Sequence, residues 1–431
     1  MRAHARRPRE SAALLFFGLA LVSALRNPSP LPARELYQQG ETSLALGATY
    51  KNLFLGNRFY EIPGEEDRVF STDYQRARLM ADARFPFRTS VEVHYQHLTF
   101  LDFEQAPLSL LGTRTVGDTG SAFRYTALAW DLEETSDFLW RHELDRLSLS
   151  VAWKKLDFIF GRQAITWGTG RFWQPTDLFS PFGPLQIDRE FKAGTDAASL
   201  SLALGGFTET RIVWAFGRDG DPDRSAGLVR FKTLWWNYDF SLLAGRVRTD
   251  EVAGGDFAGD LAETGIGIHG EALFNKVRDG SDYGQIVAGA DYRFPGKGPY
   301  LLGEYYYFGA GTTDGPGLVR ALQDERILSR GTFQLGRHYL GLGATYEIFP
   351  ILAGMFNVLV NLTDPSAVLN PGLDYSVADN ASATLGVTIP VGETPTFALP
   401  SSALGVPQVG LNSEFGTYPY SFYLEVKLYV Q

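Results

Sequence analysis

The chain has 431 residues, of which 45% are hydrophobic and 14% aromatic, with 46 Gly and a formal net charge of -10. This apolar content excludes a disordered chain, and the high content of Gly and aromatic residues is typical of a large all-β structure. The chain has no Cys, which excludes disulfides, thiolate metal sites, a cysteine nucleophile and a lipoprotein anchor.

The first 24 residues are typical of a secretory signal peptide. Four Arg residues precede an apolar run over 11–25, and Val22 and Ala24 supply the small residues that signal peptidase requires. The sequence predicts cleavage after Ala24, with cleavage after Ala33 as the alternative. Loss of residues 1–24 removes four Arg and one Glu, which changes the net charge to -13. An uncleaved membrane anchor is disfavoured because a spanning helix needs about 20 apolar residues.

The body of the chain repeatedly alternates apolar and polar residues with a period of two, which is the pattern of a β-strand with two different faces. In the C-terminal stretch, apolar residues occupy every second position from 422 to 430, and Tyr, Glu, Lys and Tyr lie between them. The same alternation recurs over 44–50, 77–85, 147–153 and 340–346. One face is suited to lipid and the other to water, but the strands of a soluble β-sandwich also alternate in this way.

The sequence predicts eighteen strands, whose connections alternate in length. Connections after even-numbered strands have about five residues or fewer, whereas those after odd-numbered strands include 56–71, 102–142, 168–192, 310–335 and 391–418. Short turns at one rim and long loops at the other are typical of an outer-membrane β-barrel with both termini on the periplasmic side. The predicted strands are 42–55, 72–85, 90–101, 143–153, 156–167, 193–204, 210–217, 227–236, 239–248, 252–261, 264–274, 283–294, 300–309, 336–347, 351–361, 366–377, 382–390 and 419–430.

Two predicted strands have unfavourable features. The strand at 252–261 is Gly-rich, and Pro371 lies inside the strand at 366–377, where Pro is normally avoided. Without this pair the barrel would have sixteen strands, which is the alternative, but the regular alternation of loop lengths would be lost. Residues 122–132 also have a strand-like pattern and are assigned to the second long loop.

The predicted fold class is therefore an all-β transmembrane antiparallel β-barrel with long extracellular loops and short periplasmic turns. The predicted organisation along the chain is a signal peptide at 1–24, a periplasmic N-terminal segment at 25–41 and the barrel at 42–431. The exported protein is expected in the outer membrane of a Gram-negative bacterium, in contact with lipid and lipopolysaccharide and dependent on the barrel-assembly machinery.

Six short motifs are distributed along the chain. They are GRQAITWG over 161–168, PTDLF over 175–179, ID at 187–188, EYYY over 304–307, the stretch 375–380 and SEFG over 413–416. These motifs resemble those of a family of porin-like bacterial outer-membrane barrels that is distantly similar to alginate-export-type channels. The resemblance covers most of the chain after the signal peptide, and it implies a β-barrel channel without naming a solute. Barrels of this kind usually end in Phe or Trp, whereas this chain ends in Val430 and Gln431.

The loop between the fifth and sixth predicted strands is the candidate constriction. Loop 168–192 combines aromatic side chains with charges of both signs, and the hypothesis is that it folds into the lumen, narrows the pore and contacts solute. The alternative is a loop that packs over the rim with its Asp and Arg side chains paired. Strand periodicity places Arg162 towards lipid, and a β-bulge at Gly161 is predicted to turn it inward. The candidate constriction residues are Arg162, Trp167, Arg171, Trp173, Asp177 and Arg189.

Positively charged side chains are predicted along the lumen face of several strands. Aligned guanidinium groups favour anionic or polyhydroxylated solutes because they form bidentate hydrogen bonds. The alternative is a set of internal salt bridges with acidic residues, including Glu92 and Glu425. The candidate pore-lining residues on the strands are Arg76, Arg78, Arg84, Arg211, Arg230, Lys232, Asp291, Arg293 and Glu304.

Signatures of an enzyme, a metal site or a nucleic-acid-binding surface are poor. His94 and His97 are three residues apart on a strand, so they face opposite sides and cannot jointly bind a metal ion. The sequence GIGIHG over 265–270 matches a dinucleotide fingerprint in spelling but lies in an alternating strand with no helix after it. An acidic stretch at 219–223 favours a plain turn over a calcium loop. We therefore predict no catalysis, no cofactor, no metal and no nucleic-acid partner.

Two classes of function are compatible with these features. The first is a porin-like channel for diffusion or export of small hydrophilic solutes, anionic or saccharide in nature. The second is a barrel without transport that serves surface-polysaccharide assembly or adhesion through its long loops. Single-channel conductance distinguishes the two, and the sequence leaves the solute and the oligomeric state open.

Overall fold

The structure, a computed structural model, describes residues 34–60, 69–102, 121–262, 264–313, 318, 334–398 and 408–430. Within these residues, eighteen antiparallel strands pair with their chain neighbours to form the barrel wall. The strands are β1 (Thr42–Arg58), β2 (Val69–Phe85), β3 (Thr89–Asp102), β4 (Phe138–Trp153), β5 (Leu156–Gln163), β6 (Thr195–Gly205), β7 (Thr208–Ala215), β8 (Ala226–Trp235), β9 (Tyr238–Val247), β10 (Asp250–Asp260), β11 (Ile266–Lys276), β12 (Tyr283–Arg293), β13 (Tyr300–Phe308), β14 (His338–Phe349), β15 (Leu352–Asn361), β16 (Ser366–Ala378), β17 (Ala381–Val391) and β18 (Tyr420–Val430).

The barrel closes because its last strand pairs with its first. Strand β18 pairs with β1 from Ala48 opposite Val430 to Arg58 opposite Tyr420, and with β17 on its other edge. Closure leaves no unpaired strand edge in the wall, as a bilayer requires. The prediction of eighteen strands is confirmed, and the alternative of sixteen is wrong. The predicted signal peptide lies outside the described residues.

The two rims of the barrel differ in the length of their connections, as predicted. The connections after even-numbered strands have six residues or fewer, from the two-residue turn 236–237 to 294–299. Trp236 and Asn237 both have positive φ, of 50° and 63°, as a tight hairpin turn requires. The connections after odd-numbered strands include the long 103–137, 164–194, 309–337 and 392–419, although 248–249 and 362–365 are short.

Short strands also lie outside the barrel wall. Arg34–Gln39 pairs with the start of β1, and Ala129–Glu134 pairs with the outer part of β4. The second of these lies in the second long loop, where the strand-like residues 122–132 were assigned. Thr396–Ala398 pairs with Gln408–Gly410 in the loop before β18. No helix among the residues described is long and apolar enough to span a membrane.

The outer surface of the wall is apolar and is bordered by aromatic side chains at the short-turn rim. Leu147, Leu149 and Val151 of β4 all point outward and are exposed. Phe87, Trp236 and Phe207 are 88%, 77% and 76% exposed in three short turns. An apolar belt with an aromatic girdle is the lipid-facing surface of an outer-membrane barrel.

Pro371 lies inside β16, and the pairing of the strand shows how it is tolerated. Pro371 pairs with Phe356 of β15, but the β17 ladder skips from Leu369 to Gly372, so that Asn370 and Pro371 have no partner there. The missing N–H of Pro371 therefore falls at a gap in the ladder. The Asn370 side chain fills this gap by donating to the Val387 carbonyl at 3.1 Å.

Inside the lumen, apolar side chains gather in three buried clusters. One includes Tyr306, Tyr339 and Phe415, a second includes Val213 and Leu228, and a third includes Leu53 and Tyr74. Apart from Phe415, which lies in the connection before β18, these residues belong to the inward rows of the strands, which alternate with the exposed outward rows. The apolar core of this protein therefore lies within the barrel.

Candidate functional site

Residues 164–194, which connect β5 to β6, fold into the lumen; we call them the inner loop. They contribute side chains to all three buried clusters. Phe172 and Trp173 belong to the first cluster, Trp167 and Phe179 to the second, and Ile187 packs against the third. In an eighteen-stranded barrel β14 lies opposite β5, and Phe172 lies so close to Gly341 of β14 that a Cβ there would be 2.5 Å from its ring. The inner loop therefore crosses the lumen.

Glu271 of β11 holds the first turn of the inner loop. Its Oε1 accepts the N–H groups of Thr169 at 2.6 Å and Gly170 at 2.7 Å. Its Oε2 accepts the N–H of Thr176 at 2.9 Å and the Thr176 hydroxyl at 2.7 Å. These four hydrogen bonds come from main-chain and hydroxyl donors, and three of them satisfy N–H groups that lie outside the strand ladders.

Glu304 of β13 holds the next two residues of the loop. Its Oε2 accepts the N–H of Arg171 at 3.0 Å and the N–H of Phe172 at 2.7 Å. The carboxylate is 1% exposed, so it has little contact with water. Together, Glu271 and Glu304 bind four consecutive N–H groups, which fixes the backbone from 169 to 172 against the wall.

Aromatic stacking continues the contact on the same side of the lumen. The Trp173 ring stacks on Tyr306 with a centroid distance of 5.3 Å and an interplanar angle of 15°. Trp167 contacts Phe179 edge to face, with centroids 4.9 Å apart, and the Arg230 guanidinium lies over the Trp167 ring. Both indoles are buried by these contacts.

The second half of the loop is held by ion pairs to β1 and β2. Asp188 accepts from Lys51 at 2.6 Å and pairs with Arg76 at 2.9 Å. Glu190 also contacts Lys51, at 3.0 Å. Burial acts to raise the pKa of Asp188, but the charges of Arg76 and Lys51 outweigh burial, and the pKa is lowered. Asp188 is therefore ionised at neutral pH and fixes this part of the loop.

The end of the loop is bound to Asp145 of β4. The carboxylate of Asp145 accepts from Arg78 and Arg146, both at 2.6 Å, and from the N–H of Gly194 at 2.9 Å. Arg146 also donates to the Lys192 carbonyl. Asp145 is the extra residue of a bulge, because Leu144 and Arg146 pair with the adjacent residues Tyr95 and His94. The bulge turns Asp145 into the lumen.

The predicted β-bulge at Gly161 is wrong, because the register is unbroken on both sides of β5. Gly161 has φ of 116°, and a Cβ there would lie 2.2 Å from the Leu147 carbonyl oxygen, so a larger residue does not fit. Arg162 is 1% exposed and is paired with Asp196 at 2.7 Å. It also donates to the carbonyls of Leu144 and Thr126 and does not line open space. Strand β5 ends at Gln163, four residues earlier than predicted.

The other predicted site residues are buried, partly exposed with polar partners, or exposed. Arg76, Arg78, Trp167, Trp173, Asp177 and Glu304 are buried, with Asp177 bound to Lys192. Arg189 donates to the carbonyls of Arg171 and Gly183 within the loop, Arg211 to Ser199, and Arg230 to Asp256. Lys232 contacts Asp239, and Asp291 lies near His269. The exposed residues are Arg84, Arg171 and Arg293.

The structure brings together charged residues that the sequence analysis did not select. Lys51, Asp145 and Glu271 bind the inner loop, yet none of them lies in a motif that resembles the porin-like family. Alternation along the strand marks Lys51 and Glu271 as inward-facing, whereas Asp145 reaches the lumen only because of the bulge in β4. Their partners are about 50 to 140 residues away in the chain, so the contacts themselves could not be read from the sequence.

Asp82, Glu92 and His94 form the cluster of potential metal ligands found among the described residues, with ligand atoms within 4.8 Å of one another. The Nδ1 of His94 lies 3.2 Å from the Arg78 guanidinium and accepts from it. This assigns the imidazole proton to Nε2, which faces Asp82 and Glu92 at 3.4 and 3.3 Å. With Nδ1 accepting from Arg78, the imidazole is neutral, and its Nε2 lies beside the two carboxylates. As predicted, His97 faces the other side, where it accepts from Trp140.

The barrel is similar to solved structures of outer-membrane porins. OccAB1 of Acinetobacter baumannii has 10% identity and a TM-score of 0.55, covering 94% of this chain and 99% of that chain. A BenF-like porin from Pseudomonas fluorescens Pf-5 has 9% identity and a TM-score of 0.54, covering 90% and 98%. OpdK of Pseudomonas aeruginosa, solved with vanillate, has 9% identity and a TM-score of 0.54, covering 90% and 98%.

These likenesses show that the chain has the fold of an outer-membrane porin. No family model and no curated protein matches the sequence. The resemblance to alginate-export-type channels stays a prediction.

Proposed function

We propose that the protein is an outer-membrane channel for small hydrophilic solutes, narrowed by the inner loop. The observation that carries this proposal is the inner loop itself, which crosses the lumen and is bound to β1, β4, β11 and β13. An eighteen-stranded barrel without such a loop has a wide lumen. A loop held by buried carboxylates gives the lumen a defined narrow section that selects solutes by size and charge.

The preference we propose is for anions. The Arg171 side chain is exposed within the inner loop, whereas its main chain is fixed by Glu304. Arg84 and Arg293 are also exposed, near the short-turn rim. Arg76 and Arg78 are already paired with Asp188 and Asp145, so their charges are balanced. The solved OpdK complex contains vanillate, which is an anion, and this agrees with the proposal.

A saccharide solute is less well supported. Sugars bind in channels by stacking on exposed aromatic rings, but Trp167 and Trp173 are buried against Phe179 and Tyr306. Neither indole face is open to a solute. The buried rings serve to fix the loop, which leaves the exposed charge at Arg171 as the selective feature.

Reversal potentials in planar bilayers test the role of Arg171. We expect Arg171→Gln to lower the anion-to-cation permeability ratio by about fourfold, since a unit charge at about 10 Å in water lowers the energy of an anion and raises that of a cation by roughly 0.4 kcal/mol each. The matched control is Arg218→Gln, an exposed arginine in the connection 216–225 that is 77% exposed, and it should leave the ratio unchanged. Equal effects of the two substitutions would contradict the assignment. A wild-type barrel with no conductance would favour surface-polysaccharide assembly or adhesion.

A further inference from the structure

A second segment also folds onto the inner wall of the barrel. Residues 411–418, which we call the docked segment, precede β18 and contain a short 3-10 turn at Phe415–Thr417 with all three residues buried. Phe415 packs in the first apolar cluster with Tyr339, Leu359 and Val368. The segment includes the SEFG motif over 413–416, for which the channel proposal gives no role.

Glu414 fastens the docked segment to two neighbouring parts of the wall. Its carboxylate accepts from the N–H groups of Leu335 at 3.2 Å and Gly336 at 3.3 Å, at the start of β14. It also accepts from the Tyr339 hydroxyl and from the Asn361 amide at 2.8 Å. In return, the Glu414 N–H donates to Asp364 at 2.8 Å. One side chain thus joins three segments of the chain.

The two oxygens of the Glu414 carboxylate are not equivalent. Oε2 accepts from Gly336, Tyr339 and Asn361, whereas among the described residues Oε1 accepts from Leu335 alone, at 3.2 Å. A proton on Oε1 therefore disturbs one hydrogen bond and leaves the three at Oε2 in place. Protonation at Oε1 costs fewer hydrogen bonds than protonation at Oε2.

The charged form, by contrast, is buried without a cation. Glu414 is 1% exposed, and among the described residues no Lys or Arg forms an ion pair with it. Burial raises the pKa of Glu414 to about 7, since its hydrogen bonds only partly offset the loss of hydration. Released into water, the same carboxyl would return towards its ordinary value of about 4.3.

We propose that Glu414 is a proton-dependent latch, which keeps residues 411–418 docked on the inner wall when protonated and releases them when it loses its proton. The docked state binds the proton more tightly than the released state. Docking is therefore most stable at acid pH and weakens as the pH rises towards neutrality, by at most about 500-fold in the docking equilibrium. Because the proposed latch regulates the pore, it rests on the proposed channel function.

Other titratable groups face the latch and must be separated from it. Asp364 accepts from the Glu414 N–H, and burial raises its pKa as well. His338 follows Arg337 at the start of β14 and bonds Tyr305, and the Arg337 guanidinium donates to the Gly311 carbonyl. Tyr339 donates to Glu414 itself, and Tyr418 contacts Phe415 edge to face. Glu393 is exposed in the same loop, and only its carbonyl contacts the segment.

Hydrogen–deuterium exchange of the purified full-length barrel tests the latch without requiring conductance. After correction for intrinsic exchange rates, we expect protection of residues 411–418 to fall at least about tenfold between pH 5 and pH 8, within the limit set by linkage. Glu414→Gln, which keeps the acceptor at one oxygen, should remain protected at both pH values. Glu393→Gln and His338→Gln should behave as wild type. A pH dependence that persists in Glu414→Gln, or is absent in wild type, would overturn the proposal.

A second variant covers the case in which Glu414→Gln fails to fold. The Tyr339 hydroxyl stabilises the ionised carboxylate, so Tyr339→Phe should move the midpoint of release to higher pH. An unchanged or lower midpoint would contradict the latch. Conductance recorded on the same protein separates the two proposals, since a silent barrel with pH-dependent protection would refute the channel and leave the latch standing.

Discussion

Glu304 lies on a wall strand, yet the groups that its carboxylate binds most directly belong to the inner loop. It accepts the N–H groups of Arg171 and Phe172, which have no partner in a strand ladder. Glu271 does the same for Thr169, Gly170 and Thr176. Buried N–H groups must be satisfied, and here two acidic side chains supply the acceptors that regular secondary structure would otherwise provide.

The first prediction concerns Glu304→Gln. The substitution removes the charge and replaces one acceptor oxygen with a donor, so the loop should lose roughly 1.5–3 kcal/mol for each charged hydrogen bond that breaks. We expect faster trypsin cleavage at Arg171 and Arg189 in the folded barrel. Glu251→Gln is the control, because that carboxylate forms an exposed pair with Lys276 and should not change the rate. Equal cleavage rates for wild type and Glu304→Gln would contradict the anchoring role.

Strands were the most predictable elements, and the reason is visible in β18. Its apolar and polar faces alternate without interruption, and both faces have a fixed environment, lipid outside and water or loop inside. Strand β16 was predictable despite Pro371 because the alternation of loop lengths required it. The end of β5 was not, since Ile165 and Trp167 alternate with the polar Thr166 as strand residues do, but they pack in the lumen. The periodicity of apolar residues indicates which side chains are buried. It does not distinguish a strand of the barrel wall from a loop packed against that wall.

The path of the inner loop was predicted only as a hypothesis. Its composition suggested that it enters the lumen, but the residues that hold it are scattered over six strands. Lys51 lies 137 residues from Asp188, and Glu271 lies 95 residues from Thr176. Such contacts depend on the closure of the barrel, which sets the distance between strands far apart in sequence.

The next prediction concerns deletion of the last strand, β18. Deletion of β18 removes the partner of both β1 and β17 and leaves two unpaired edges facing lipid. We expect the truncated protein to lose insertion into membranes and the heat-modifiable migration on gels that marks a closed barrel. Heat-modifiable migration that survives the deletion would show that the barrel closes without this strand.

At the scale of the whole molecule, the two rims differ in the length of their connections and define an orientation. Because the native chain has no Cys, single cysteines give a labelling signal without background. Cysteines at Asp219 and Glu393, in connections after odd-numbered strands, should react with an impermeant maleimide in intact cells. Cysteines at Lys154 and Asn237, in short turns, should react only after the outer membrane is opened. The reverse pattern would invert the topology.

The barrel wall encloses a wide lumen, and the inner loop and the docked segment occupy part of it. The inner loop spans the lumen from β11 and β13 to β1 and β2, and its contacts with the wall are largely charged or aromatic. On the proposed function, we expect the loop held in this way to set the conductance.

Single-channel conductance of wild type and of a variant lacking residues 171–189 tests this claim most directly. We expect small, uniform steps for wild type and clearly larger steps for the variant, because the deletion removes the chain that crosses the lumen. Shortening the exposed connection 218–224 is the control and should leave the steps unchanged. Equal conductance for wild type and the loop deletion, with both barrels folded, would contradict the account.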